Sequence, residues 1–142
     1  MKMIKLPGWR YYLDEVNHDS LDVNKAGKWM FFYRGHEAQK FAEDKCRLAV
    51  EQNIVCEAKV SDNPIEGVSC YYLSYDDIAG HKRVIQYFLE NNMINRTKTG
   101  RLYNISFKLD NQTSAGEYGL DFKATIKLED FVDLNTGKWL KT

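Results

Sequence analysis

Apolar and polar residues alternate along this chain in short runs, separated by two longer stretches of helical period. Trp9 to Val16 is aromatic and then alternating, which predicts a first strand. Asn17 to Gly27 is polar and has no period. From Lys28 to Arg34 the alternation puts Trp29, Phe31 and Tyr33 on one side and Lys28, Met30, Phe32 and Arg34 on the other. Aromatics on both sides place this second strand centrally in a sheet.

Gly35 ends that run, and a helix is predicted from about His36 to Asn53. Ala38, Phe41, Ala42, Leu48 and Ala49 form its apolar stripe, with Glu43 and Arg47 as an i,i+4 ion pair. Val55–Ser61 and Val68–Tyr75 read as strands joined through Asp62-Asn63-Pro64 and Glu66-Gly67. Asp76 or Asp77 can cap a second helix over Ile78–Met93, packed through Ile85, Phe88 and Leu89. A fifth strand is predicted over Arg101–Asp110, with Tyr103, Ile105, Phe107 and Leu109 inward, and a sixth over Phe122–Leu128. The tail from Glu129 holds a short helix. This order predicts an α+β fold: a curved, mainly antiparallel sheet of about six strands with both helices on one face. The other face is left open.

Lysines recur on the polar sides of these strands. Val55, Glu57, Lys59 and Ser61 share one side of the third strand, and Asn104, Ser106, Lys108 and Asp110 share one side of the fifth. If these sides coincide with that of Lys28, three ammonium groups converge. Like charges repel, so a phosphate or carboxylate would relieve the strain. The plainer reading is that each lysine only solvates an exposed face. Arg101, Asn104 and Thr113 are further candidate hydrogen-bond donors.

Composition narrows the partners. Twenty basic and twenty acidic side chains cancel, so no overall field favours nucleic acid or an anionic membrane, and any anion site is local. No window approaches the roughly 20 apolar residues of a membrane span. The start lacks the apolar core of a signal peptide, so a cytoplasmic protein is expected. Cys46, Cys56 and Cys70 form no Cys-x-x-Cys pair and read as reduced, buried thiols. No zinc, calcium, dinucleotide or phosphate-loop motif is present, and no cofactor is implied. At 142 residues one domain is expected.

Trp9-Arg-Tyr-Tyr-Leu, Gly27-Lys28-Trp29, Ala58-Lys59-Val60, Tyr75-Asp76 and Lys108-x-Asp110-x-x-Thr113-x-x-Gly116-x-Tyr118 follow one another in this order. Over residues 9 to 119 the set resembles the phosphothreonine lyase domain family of bacteria. That family is related to the basophilic-leukaemia-expressed protein family, whose fold is similar to the cap-binding translation initiation factor. The secreted effector lyases remove phosphate from phosphothreonine by β-elimination, a lysine taking the α-proton and a histidine protonating the leaving oxygen. The resemblance implies Lys59 as the base and Lys28 as the basic member of a Lys-x-His motif. Here the motif ends in Met30, which donates no proton. His18, His36 and His81 are the alternatives, with His36 nearest the end of its strand.

The cap-binding likeness adds base stacking between aromatic rings, for which Trp9, Trp29, Tyr33, Tyr71, Tyr75 and Tyr118 are of the right type. Tyr118 is favoured because it lies in a glycine-flanked loop. The leading expectation is therefore a protein that binds a phosphorylated small molecule, such as a nucleotide, or a phosphopeptide. Lys28, Lys59, Lys108, Arg101, Asn104, Thr113 and Tyr118 would line its site. The alternatives are a lyase using Lys59, and a small inhibitor or adaptor acting on a protein partner, for example in phage counter-defence.

Overall fold

A computed structural model describes residues 1–110 and 126–140. The chain opens with a hairpin, β1 (Lys2–Leu6) and β2 (Trp9–Leu13), in which Leu6 faces Trp9. Pro7 pre-sets one corner of the turn, and Gly8 supplies the positive φ, 82°, that the other corner needs. Nothing in the pattern predicts β1. Lys-Met-Ile-Lys-Leu does not alternate, and as an edge strand it leaves every residue but Ile4 exposed.

β3 (Ala26–Tyr33), β4 (Glu57–Ser61), β5 (Gly67–Ser74) and β6 (Lys108–Leu109) complete the sheet. Its order is β1-β2-β4-β5-β3-β6, with every neighbouring pair antiparallel. β3 and β5 pair over their full eight residues, so β3 is interior, as its two-sided aromatics predict.

α1 (His36–Glu51) and α2 (Ile78–Glu90) both pack on the same face. α1 buries Ala42, Cys46, Ala49 and Val50. These small side chains bring the helix close enough for the Cys46 thiol to donate to the Lys59 carbonyl at 3.6 Å. The stripe is rotated from the expected one, and Phe41 remains 37% exposed at its edge. The expected Glu43–Arg47 pair does not form: Glu43 reaches across to Arg10 at 3.0 Å, and Arg47 turns to Glu51 and Asp44. Asp77 is the residue that caps α2, accepting from the Gly80 amide at 2.9 Å.

Trp29, Tyr71, Phe88 and His81 are fully buried between sheet and helices. The His81 ring accepts from Trp29 Nε1 through Nδ1 at 3.0 Å and donates from Nε2 to the Tyr75 carbonyl at 2.8 Å. That arrangement satisfies a neutral imidazole, and burial lowers its pKa.

The expected fifth strand is corrected. Of residues 101–110 only Lys108 and Leu109 join the sheet, and Tyr103 is 49% exposed rather than inward. The rest of the segment bonds to the C-terminal part instead: Leu102 N to Leu134 O, Phe107 N to Ile126 O, and Leu128 N to Ile105 O, each at 2.9 Å. Of the expected sixth strand, residues 122–125 lie outside the described ones. Lys127 makes a single bridge to Ser106, and Leu128–Asp130 is a short 3-10 turn.

Candidate functional site

Strand register builds the open face. One row of register partners crosses the whole sheet: Lys2, Leu13, Glu57, Tyr72, Lys28 and Lys108, one residue from each strand. The next row on the same side is Ile4, Tyr11, Lys59, Cys70 and Met30. Side chains on one face repeat every second residue, so Lys28, Lys59 and Lys108 all stand on the side away from the helices. The phase that the sequence suggests for the three lysines is the phase of this sheet.

The lysines are held differently. Lys59 Nζ lies 4.0 Å above the Trp9 ring, 5.6 Å from that of Tyr11 and 5.8 Å from that of Tyr72, each measured to the ring centroid. Such a cation–π arrangement fixes an ammonium in place. Lys28 Nζ lies 5.6 Å from the centroid of the same Tyr72 ring and forms an ion pair with Asp110 Oδ1 at 2.6 Å. Lys108 is directly opposite Lys28 and is exposed.

Among the described residues two carboxylates stand beside these three ammonium groups, with Lys2 at the far end of the row. Asp110 follows Lys108 by two residues, and Glu57 precedes Lys59 by two. Glu57 is held above the ordinary carboxylate range, chiefly by burial; His18 and Lys59 oppose this and Asp110 adds to it. His18 Nε2 is 3.5 Å from Glu57 Oε1, and its Nδ1 is 3.2 Å from Asp19. Of the three histidines, His18 is the one at the lysine face. His36 starts α1, and His81 is in the core.

Burial raises the Tyr72 and Tyr11 hydroxyls above the usual tyrosine range. It pushes the Cys70 thiol to about 11, against the pull of Lys59 and Lys28, so this cysteine is an inert neighbour. Met30 faces Cys70 across the strand pair, a thioether where the lyase pattern has its acid.

The remaining sequence candidates disperse. Arg101 sits in the turn that Thr97 closes through its amide and hydroxyl, outside the sheet. Asn104 uses its side-chain oxygen to accept from the Glu129 amide at 3.0 Å. Thr113 and Tyr118 lie outside the described residues. Of the rings considered for stacking, Trp29, Tyr33 and Tyr71 are buried in the core. Trp9 is on the open face, but Lys59 covers one side of its ring.

A separate apolar groove of about 780 Å³ runs between α2 and the C-terminal segment, with Ile78, Tyr87, Phe131 and Trp139 in its walls. None of Lys28, Lys59 and Lys108 lines it. The described residues contain no group of three metal-ligating side chains and no helix long and apolar enough to cross a membrane.

No family model and no curated protein matches this chain, so neither supports the phosphothreonine lyase likeness. Among solved structures, Ascaris suum eIF4E-3 in complex with the m2,2,7G cap is similar to it at 15% identity and a TM-score of 0.47. The match covers 86% of this chain and 70% of that one.

Proposed function

We propose that the open face binds a phosphate-bearing ligand, a nucleotide or a phosphorylated peptide. The observation that carries this reading is the register: Lys28 and Lys108 are direct partners, and Lys59 occupies the adjoining row of the same face. Among the described residues Lys28, Lys59 and Lys108 outnumber the two carboxylates beside them, in a chain whose total charge is zero. Phosphate oxygens accept charge-assisted hydrogen bonds from such groups.

Binding fits the geometry better than catalysis by Lys59. Lys59 Nζ is packed against the rings of Trp9, Tyr11 and Tyr72, and catalysis would require it to leave them to reach a substrate proton. Titration with phosphothreonine peptides and nucleotides, followed by calorimetry, tests the proposal. Wild type is expected to bind, and Lys59→Ala and Lys108→Ala each to weaken binding about tenfold, the loss of a charge-assisted contact. Affinity weaker than millimolar for every ligand, or full affinity in both variants, sinks it.

A further inference from the structure

The two edges of the sheet are unlike. Among the described residues β6 offers only Lys108 and Leu109, whereas β1 presents five residues in unbroken register with β2. Leu6 and Trp9 flank a turn of two residues, which makes them a hydrogen-bonded pair. Bonded pairs alternate along an antiparallel ladder, so Ile4–Tyr11 and Lys2–Leu13 are bonded as well. The backbone groups of Met3 and Lys5 then point outward, away from β2. α1 packs on β2, β3, β4 and β5 and leaves β1 at the rim, with Met3 and Leu6 about half exposed.

Charge completes the description of this edge. β1 carries Lys2 and Lys5 and no acid. Lys2 stands on the open face, and alternation puts Lys5 on the helix face. Among the described residues neither ammonium has an ion-pair partner, and Arg10, opposite Lys5, is taken by Glu43 at 3.0 Å. We propose that β1 is a docking edge for an extended, acidic segment of another protein, which adds to the sheet as its outermost strand. This surface is independent of the phosphate-binding reading, since it uses neither Lys28, Lys59 nor Lys108.

The lysines decide between occupants. Two copies joined edge to edge would gather the lysines of both strands in one seam with no acid to offset them, which is how lysine guards an edge against self-pairing. An acidic strand makes the same lysines cross-strand partners. Antiparallel addition continues the pattern of every pair in this sheet. It asks for an apolar residue opposite Leu6, an acid opposite Lys5, an apolar residue opposite Ile4 and an acid opposite Lys2. Backbone bonds to Met3 and Lys5 supply affinity, and the two acids, on opposite faces of the added strand, fix its register.

The test titrates the full chain with a capped peptide of core Val-Glu-Val-Thr-Glu, followed by NMR amide exchange. Two control peptides carry lysine for both glutamates or proline for the threonine. The acidic peptide is expected to bind and to slow exchange at Met3 and Lys5, while Ile4, already bonded to Tyr11, changes little. The lysine peptide should bind at least about tenfold more weakly, through like charges opposite Lys2 and Lys5. The proline peptide should also weaken, because proline removes the amide that would bond to Met3. In the double variant Lys2→Glu/Lys5→Glu, with folding checked by circular dichroism, the lysine peptide should become the tighter one. Equal wild-type affinity for the acidic and lysine peptides overturns the inference, and this arm needs no variant. Binding without slowed exchange at Met3 and Lys5 overturns it too, as does no binding at millimolar peptide. Sedimentation of the wild type as a dimer, with those two amides protected, would give the edge to a second copy instead and overturn the acidic partner. Phosphate binding is expected to persist in the double variant, so the two proposals fail separately.

Discussion

The two faces of the sheet spend their side chains in opposite ways. On the helix face Trp29, Tyr71, Ala58 and Val60 are buried to the last few per cent, and the polar His81 among the aromatics has both ring nitrogens satisfied. On the open face the same strands carry Lys28, Lys59, Glu57 and Tyr72. There the charged groups are only partly withdrawn from water, and aromatic rings serve as platforms for ammonium groups. β3 shows both habits in adjacent residues: Trp29 is sealed in the core, and Lys28 ends on a carboxylate across the sheet. The helix face is apolar almost throughout, whereas the other mixes the buried Tyr72 and Cys70 with charged groups.

Breaking the helix face should be the more damaging change. Trp29→Ala removes a fully buried ring together with the donor to His81, and a loss of about 3–5 kcal/mol is expected from urea unfolding. An effect below about 1 kcal/mol would show that this face is not the core of the fold.

Acid should act on the same face. His81 has its folded pKa lowered below 6.5, so the folded state resists a proton that the unfolded chain accepts. Its contribution is fully present above the unfolded value and is lost as pH falls toward and through the folded one. Urea midpoints are expected to drop between about pH 7.5 and pH 5, and to drop less in His81→Asn. Equal slopes in both proteins would remove His81 as the cause.

The open face predicts the reverse sign. Glu57 has its folded pKa raised above 4.5, mainly by burial, so its charge opposes folding once pH rises through the raised value. Glu57→Gln should stabilise the protein at neutral pH by up to about 1 kcal/mol, the gain vanishing below about pH 4. Destabilisation at neutral pH would mean that the His18 contact outweighs the burial of the carboxylate.

What the sequence discloses follows from what period-two alternation encodes. Alternation assigns a residue to one side of its strand, and it puts Lys28, Lys59 and Lys108 in phase. It says nothing of which strand lies beside which. The Lys59 contacts with Trp9 and Tyr72, and the Lys28–Asp110 pair 82 residues apart, depend on register across β2, β4, β5, β3 and β6. Glu57 and Asp110 were visible beside their lysines along the chain, but not as the charges that temper them across the sheet. Tyr103, Ile105, Phe107 and Leu109 alternate as well as any true strand, yet most of that segment pairs with residues 126–134. β1 failed in the opposite direction, since an edge strand exposed on both sides needs no alternation to pair.

Gly27 brings these threads together. A Cβ there would meet the Phe107 ring and the Lys108 carbonyl, at 2.5 and 2.7 Å, so its bare backbone is what lets residues 107–109 lie against β3. Among the described residues β6 pairs with β3 at two register positions, Gly27–Leu109 and Lys28–Lys108. So short a ladder can open by local unfolding while the eight-residue β3–β5 pairing stays closed. An anion bridging Lys28 and Lys108 would close that seam, and its arrival would register as slowed amide exchange confined to β6 and its partner residues on β3.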